Sequence, residues 1–198
     1  MDILLEKHFK SWIDNLSNIR DLSENTVISY KNDIQKFLVF LETHLDSSPN
    51  INNIKQLEIS DFRSFLSHQR NNGINSNSIA RNISSLKSFF NHLIKEEIIK
   101  SSAISSLKSP KLKKSLPRPI DSKLAIEVIR CAETMEKEKW IGLRNKSILM
   151  LLYGCGLRIS EALNLNYSDI DNEDHILIKG KGGKERIVPM MEYIKKGI

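Results

Sequence analysis

The chain has 198 residues, of which 40% are hydrophobic and 27% are charged, proportions that are ordinary for a soluble globular protein. No apolar run approaches the roughly 20 residues that a membrane-spanning helix needs, so no such helix is expected. The N-terminus, MDILLEKHFKSW, carries acidic residues and no small-residue cleavage site, so a secretory signal is not expected. Two isolated cysteines, Cys131 and Cys155, are expected to be free thiols of a cytoplasmic protein.

The positive charge of the chain is concentrated in one short segment. The net charge is +6, yet residues 1–107 hold 12 basic and 12 acidic residues. Residues 108–119, called the basic segment below, hold no acidic residue and five basic ones: Lys108, Lys111, Lys113, Lys114 and Arg118. Such clustering is typical of a protein that binds a polyanion, because each cation that neutralises a phosphate releases a counterion. A solvated linker would have the same composition, and charge alone does not separate these two interpretations.

Four amphipathic helices are predicted in the first half, because apolar residues recur there at intervals of three and four. The second helix begins after Ser23, a natural N-cap, and residues 46–53 are predicted to be a polar loop. The third helix begins at Ser60 and ends at Gly73, and the fourth begins at Ser76 or Ser78. The expected inward-facing residues are Leu5, Phe9, Trp12, Leu16 and Ile19; Val27, Tyr30, Ile34, Phe37, Leu41 and Leu45; Phe62, Phe65 and Leu66; and Ile79, Ile83, Leu86, Phe90, Leu93 and Ile94. Four such helices can bury a common core.

A domain boundary is predicted where the composition changes, at the proline-, serine- and lysine-rich residues 101–120. The predicted organisation is a helical domain at 1–107, a basic linker at 108–120 and a second domain at 121–198. The second domain is expected to begin with a helix capped by Asp121 or Ser122, whose inner side carries Leu124, Ile126, Val128 and Ile129. A buried helix from Trp140 to Tyr153, a turn at 154–156 and a short helix at 159–163 are predicted to follow. Strands at 175–179 and 185–190 come next, and another helix is expected to start near the last residue.

The stretch LLYGCGLRISEALNL, residues 151–165, places an arginine directly after a glycine turn. Arg158 lies at the start of a helix, where backbone N–H groups favour an anion, and its planar fork suits phosphate oxygens. Glu161 is one helical turn away and can hold the guanidinium in a fixed pose. A surface Arg–Glu pair without further function explains the same spacing, and physical reasoning alone leaves both interpretations open.

The second motif is the glycine- and lysine-rich turn KGKGGKER, residues 179–186. Glycines supply the positive φ angles of a hairpin turn, and a flexible lysine at its tip can reach a DNA groove and deliver a proton. A P-loop is excluded, because Lys184 is followed by Glu185 and a strand rather than by Ser or Thr and a helix. A solvated turn remains the alternative.

Taken together, GLRISEALNL and KGKGGKERIVPM resemble the catalytic domain of the tyrosine recombinases, also called the phage integrase family, and within it the bacterial Xer branch. The resemblance extends upstream: LSENT at 22–26 with Tyr30 is similar to the start of the family's second helix, SIAR at 78–81 to its fourth, and Ser109-Pro110-Lys111 with Leu116-Pro117 to its linker. It implies a mainly α fold, with a four-helix SAM-like core-binding domain followed by the N-terminal part of the mixed α/β catalytic domain and its β-hairpin.

The resemblance also implies an activity: cutting and rejoining duplex DNA through a 3′-phosphotyrosyl bond, without a metal or other cofactor, which in the Xer branch serves chromosome dimer resolution, chromosome partition and cell division. Arg158 matches the arginine that stabilises the phosphate, Lys181 the lysine that protonates the leaving 5′-hydroxyl, and Glu161 the acid that supports the arginine. Double-stranded DNA and other recombinase subunits are the implied partners. The residues expected to bind DNA are Arg81, Lys111, Lys113, Lys114, Arg118, Lys184 and Arg186.

The sequence departs from the family pattern after the hairpin. The family's later His-x-x-Arg, its second His or Trp and its nucleophilic tyrosine are not found in these 198 residues. Tyr193 follows the hairpin but falls where the family has an ordinary helix, and it is expected to be a packing residue. The chain is therefore expected to stop short of a complete catalytic domain and to be inactive alone. A non-catalytic DNA-binding remnant that modulates an intact recombinase is the alternative hypothesis.

Overall fold

The structure, a computed structural model, describes residues 2–111, 118–170, 174–180 and 183–197. The chain forms two compact units, Met1–Lys114 and Ser115–Ile198. The helices of the first unit are α1 (Ile3–Asp14), α2 (Glu24–His44), α3 (Ile51–Gln56), α4 (Ile59–Asn71) and α5 (Ser76–Lys95), followed by a 3₁₀ turn at Ala103–Ser106. The second unit contains α6 (Ser122–Thr134), α7 (Lys139–Gly154), α8 (Ile159–Leu163), strands β1 (His175–Lys179) and β2 (Glu185–Pro189), and α9 (Glu192–Lys195).

The first unit is built around a core of aromatic and branched side chains. Phe37 of α2 lies at the centre of an aromatic cluster, with its ring stacked on Phe62 of α4 at a centroid distance of 5.5 Å. Phe65 and Phe90 meet the same ring edge-on, at 5.1 and 6.3 Å. Most residues of the four predicted stripes are buried in this core. The predicted fold class, a helical SAM-like unit followed by the start of a mixed α/β unit with a hairpin, is confirmed.

Ile19 does not extend the stripe of α1. After Asp14 the chain forms a π-helical turn, Asn15–Ile19, in which the N–H of Arg20 donates to the carbonyl of Asn15 at 3.0 Å. The longer i→i+5 bond inserts an extra residue into the turn. The next residues are thereby rotated away from the core, and Ile19 is 76% exposed. The prediction for Ile19 was wrong because a constant helical period was assumed.

The predicted loop at 46–53 contains the start of a fifth helix, α3, which corrects the count of four. Asn50 and Asn53 cap it reciprocally: the Asn50 side chain accepts from the N–H of Asn53 at 3.0 Å, and the Asn53 side chain accepts from the N–H of Asn50 at 3.1 Å. Ile51 and Ile54 are buried. Asparagine is common both in loops and at helix starts, so composition did not separate the two.

The second unit has a small core formed by the C-terminal half of α7, the inner face of the hairpin and α9. Ile176 and Ile178 of β1 and Val188 of β2 are buried in it together with Met150 and Leu151. The strands pair antiparallel with Lys179 opposite Glu185. Gly183 adopts φ +71°, as the predicted hairpin turn requires. The buried alternate residues of β1 orient the hairpin on α7.

Several apolar residues predicted to lie inside the second unit are exposed. Leu124, Ile126 and Val128 of α6 remain largely accessible, and Ala125 and Ile129 are the buried residues of that helix. Trp140 and Tyr153, at the two ends of α7, are also exposed. The helices form where they were predicted, and Asp121 caps α6 through the N–H groups of Lys123 and Leu124. Their apolar faces are only partly covered within the described residues.

Candidate active site

Arg158 is positioned by the glycine turn between α7 and α8. Helix α7 ends at Gly154, and Gly156 adopts φ +62°, a left-handed conformation that turns the chain sharply. Leu157 is buried, and its N–H donates back to the carbonyl of Leu151 at 3.4 Å. Arg158 is the N-cap residue of α8, with extended backbone angles. The buried leucine anchors the turn, and the arginine that follows it points outward.

Glu161 is the centre of the site, because it receives hydrogen bonds from two arginines. Its Oε1 accepts from Arg158 Nη1 and from Arg186 Nη1, each at 2.8 Å. Its Oε2 accepts from the backbone N–H of Arg158 and from Arg186 Nη2, again each at 2.8 Å. The side chain is 6% exposed. The hydrogen bonds from Arg186, and then from the Arg158 backbone, hold the pKa of Glu161 far below its usual range.

Arg158 retains most of its hydrogen-bonding capacity. Its side chain is 71% exposed. Within the described residues only Nη1 is hydrogen-bonded, which leaves Nε and Nη2 open. A guanidinium has five N–H donors and binds phosphate oxygens through two of them at once. With two arginines around one carboxylate, the cluster carries a net charge of +1 and is suited to an oxyanion.

The hairpin lies next to this cluster. The N–H of Gly180 donates to the carbonyl of Lys184 at 2.7 Å and closes the turn. A Cβ atom placed on Gly180 would lie 4.0 Å from Glu161 Oε1, so the base of the turn is close to the carboxylate. Lys181, the candidate proton donor, lies outside the described residues. Lys184 is exposed beside the turn.

The other candidate DNA-binding residues are distributed over both units. Arg81 of α5 pairs with Asp33 of α2 through two hydrogen bonds, Nε to Oδ2 at 2.9 Å and Nη2 to Oδ1 at 3.0 Å. The bonds with Asp33, which is 2% exposed, raise the pKa of Arg81. Lys111 and Arg118 are exposed, whereas Lys113 and Lys114 lie outside the described residues. The charge of Arg81 is thus largely matched by a buried carboxylate.

Sequence reasoning missed the pairing of Arg186 with Glu161, and a signal for it was present. Alternation along β2 places Arg186 on the same face as Val188, which is buried. An arginine on the core-facing side of a strand needs a counter-ion. Glu161 was predicted to support Arg158 alone, and Arg186 was predicted to contact DNA. The structure brings Arg158, Glu161 and Arg186 into one cluster.

Two further observations concern cofactors and membranes. The described residues contain no group of three or more His, Cys, Asp and Glu placed to hold a metal ion. In the same parts of the chain, no helix is both long enough and apolar enough to cross a bilayer.

Family models and similar proteins match this chain along nearly its whole length. Residues 9–97 match the family model described as phage integrase, N-terminal SAM-like domain, and residues 125–198 match that of the phage integrase family. Tyrosine recombinase XerC of Brucella suis biovar 1 (strain 1330) is 38% identical over 191 residues, which are 96% of this chain and 61% of that protein. Tyrosine recombinase XerC of Rickettsia typhi (strain ATCC VR-144 / Wilmington) is 37% identical over 98% of this chain and 64% of its own length. The chain therefore spans less than two thirds of these relatives.

Solved structures share the fold. A lambda integrase tetramer bound to a Holliday junction has a TM-score of 0.68 at 18% identity, covering 98% of this chain and 53% of that one. The XerH site-specific recombinase, bound to its palindromic difH substrate in a post-cleavage complex, has a TM-score of 0.64 at 22% identity, covering 89% of this chain and 52% of that one. With both family models matched in order and XerC proteins similar along nearly the whole chain, this protein belongs to the phage integrase family of tyrosine recombinases, in its Xer branch.

Proposed function

We propose that this chain supplies the DNA-holding surface and the first phosphate-binding residues of a Xer-type site-specific recombinase. The observation that carries the proposal is the cluster of Arg158, Glu161 and Arg186 beside the hairpin, in a chain similar to XerC along 96% of its length. Residues 1–107 are the core-binding domain in this proposal, residues 108–120 the basic linker, and residues 121–198 the part of the catalytic domain present in this chain.

The proposed chemistry is phosphoryl transfer to a tyrosine. The tyrosine hydroxyl gives up its proton, its oxygen attacks the scissile phosphorus, the bond to the 5′ oxygen breaks, and a 3′-phosphotyrosyl bond forms. Arg158 stabilises the charge that develops on the phosphate oxygens, and Lys181 gives a proton to the leaving 5′ oxygen. The tyrosine and the His-x-x-Arg residues of this reaction are not found within these 198 residues, and in this proposal another segment or polypeptide supplies them.

Duplex DNA and further recombinase subunits are the proposed partners, in the cytoplasm. The solved relatives that share the fold include a lambda integrase tetramer on a Holliday junction and a XerH complex with its DNA substrate. The exposed Lys111 and Arg118 of the basic segment support a phosphate contact.

A salt titration of DNA binding tests the first part of the proposal. If about five phosphates are contacted, the logarithm of the binding constant falls with the logarithm of salt concentration at a slope near −4.5. Reversing three charges of the basic segment should weaken binding to every duplex alike and make the slope shallower by about 3, because phosphate contacts do not read bases. The substitutions are Lys111→Glu, Lys113→Glu and Lys114→Glu.

The matched control changes the net charge equally at exposed lysines outside the basic segment. It carries Lys7→Glu, Lys55→Glu and Lys137→Glu. If both triple variants lose the same affinity, binding reflects total charge and not the basic segment. If the unmodified chain does not bind duplex DNA at low salt, the proposed function is wrong.

A nicked suicide duplex, from which the covalent complex cannot religate, tests the chemistry. We expect no protein–DNA adduct with the 198-residue chain alone, and an adduct when a C-terminal fragment of Brucella suis XerC is added. Arg158→Ala should then lower adduct formation by about 10²–10³-fold, since one preorganised donor of an oxyanion contributes about that much. Arg144→Ala, an exposed arginine over the Trp140 ring, is the control. Tyr193, which was expected to be a packing residue, is 71% exposed. An adduct formed by the chain alone, and abolished by Tyr193→Phe, would show that this tyrosine is a nucleophile.

A further inference from the structure

Arg186 binds Glu161 through both terminal nitrogens of its guanidinium group. It lies on the inner face of β2, opposite the buried Ile178 in the strand register. Nη1 and Nη2 donate in parallel to the two oxygens of Glu161, each at 2.8 Å. This two-point geometry is stronger and more specific than a single hydrogen bond between an arginine and a carboxylate. One N–H of each terminal nitrogen is therefore used on Glu161 and is not available to a phosphate, while the side chain as a whole is 40% exposed.

The two hydrogen bonds from Arg186 restrict the orientation of Glu161. Each carboxylate oxygen accepts one bond from Arg186 and one from Arg158. An exposed Arg–Glu pair at i,i+3 is held loosely, because two long side chains must be ordered in water. Here the carboxylate is clamped from β2, so the Nη1 of Arg158 meets an acceptor whose position is fixed. The pose of Arg158 thus depends on a residue 28 positions further along the chain.

Arg186 also changes the charge available to an anion. A pair of Arg158 and Glu161 alone would be neutral. With Arg186 the cluster carries a net charge of +1. The Arg158 side chain is 71% exposed and that of Arg186 is 40% exposed, so more of the accessible positive charge lies at Arg158 than at Arg186. Because Coulomb interactions are stronger in partly buried surroundings than in bulk water, this excess favours an oxyanion at Arg158.

We propose that Arg186 is a positioning residue: from strand β2 it clamps the Glu161 carboxylate and, through it, fixes the Arg158 guanidinium toward the phosphate. It does not itself contact DNA. This inference rests on the proposed function for its purpose. The Glu161 carboxylate thereby connects the hairpin that carries Lys181 with the turn that carries Arg158. It fixes the orientation of the Arg158 guanidinium and also holds the hairpin through Arg186.

Nitrogen-15 NMR of arginine side chains in the full 198-residue chain tests the clamp. The variants are Arg186→Gln, which removes both charge and fork, and Arg186→Lys, which keeps the charge and removes the fork. Lys184→Gln is the control, an exposed cation two residues away without an ion pair among the described residues. The steady-state heteronuclear NOE at Arg158 Nε reports the order of its guanidinium at neutral pH.

We expect the Arg158 NOE to fall in both Arg186 variants and to stay unchanged in Lys184→Gln, while the backbone amides of β1 and β2 keep their shifts. In Arg186→Gln the pKa of the Glu161 carboxyl group should rise toward its ordinary value of about 4.3, so that the chemical shift of the carboxyl carbon begins to change as the pH falls to about 4. In the parent the carboxylate should stay ionised at about pH 4, and the shift should not change. An unchanged Arg158 NOE in both variants, whether or not the hairpin amides shift, would overturn the proposal. If Arg186→Gln does not fold, Arg186→Lys decides alone.

The salt titration of DNA binding separates failure of this inference from failure of the proposed function. If the parent does not bind DNA but Arg186→Lys lowers the Arg158 NOE, the contact of Arg186 with Glu161 orders Arg158 as proposed, and the recombinase role is refuted. If the parent binds DNA but the Arg158 NOE is the same in the parent and in Arg186→Lys, the positioning role of Arg186 is refuted. If a DNA duplex shifts the side-chain nitrogens of Arg186 more than those of Arg158, Arg186 contacts DNA and the proposal is wrong.

Discussion

Phe37 offers a direct test of the packing of the first unit. It is completely buried, and three other rings lie within 5.1 to 6.3 Å of its ring centroid. Replacing a buried phenylalanine by alanine typically costs about 3–5 kcal/mol. Each lost ring pair adds about 0.5–1.5 kcal/mol beyond the buried area, and three rigid neighbours limit collapse of the cavity. For Phe37→Ala we therefore expect the upper part of that range, about 4–5 kcal/mol.

A loss of this size is a large part of the about 5–15 kcal/mol that stabilises a typical domain. It can be measured by urea unfolding followed through Trp12, which is buried in the same core. Trp140→Phe in all samples removes the exposed tryptophan of the second unit, so that the emission reports the first unit alone. A lower midpoint with an unchanged m-value would indicate lost stability and not a changed denatured state.

Val39→Ala is the matched control, because Val39 lies two residues away on α2 and is 65% exposed. It should change the free energy of unfolding by no more than about 0.5 kcal/mol. If Phe37→Ala costs less than about 1 kcal/mol, or no more than Val39→Ala, then the described aromatic cluster does not stabilise the unit and the reasoning fails.

Two further substitutions test other contacts. A Cβ on Gly142 would overlap the backbone carbonyl of Glu133 where α7 crosses α6, so Gly142→Ala should cost the second unit about 1–3 kcal/mol; amide hydrogen exchange in both helices measures it, and unchanged exchange would mean that the helices are not in close contact there. His92 is buried with its Nε2 unpaired among the described residues, and desolvation lowers its pKa, against the opposing charge of Glu96. Because the unfolded chain then binds a proton below about pH 6.5 that folded His92 does not, stability should fall as the pH drops below that value. His92→Gln should flatten this fall in urea titrations at several pH values, and an equally steep fall would refute the assignment to His92.

Local patterns in the sequence were sufficient to predict most of the helices and strands and, of the site, the pairing of Arg158 with Glu161. The periodicity of three and four predicted the helices, and the glycine turn before Arg158 and the lysine-glycine hairpin appear at the predicted positions. The pairing of Arg158 with Glu161 was also predictable, since residues three apart on a helix face each other. These features depend on neighbours in the chain, which is why they can be read without knowing the fold.

Features that depend on distant residues could not be read in this way. Arg186 reaches Glu161 across 25 positions, and Arg81 reaches the buried Asp33 across 48. Both arginines were expected to face DNA, because an arginine in sequence shows its charge but not its counter-ion. The exposed side of α6 was likewise assigned to the core, since an apolar residue shows its preference for burial but not which surface is present to cover it.

The sequence by itself therefore determined the local features: the helices, the hairpin and the arginine at a helix start. These features depend on caps, glycine turns and the period of apolar residues, all of which are short-range. The partner of each buried charge was settled by packing. A carboxylate removed from water requires donors from whatever element lies against it. For Glu161 that element is β2, which brings Arg186 to the carboxylate and makes a surface ion pair into a clamped, net-positive cluster.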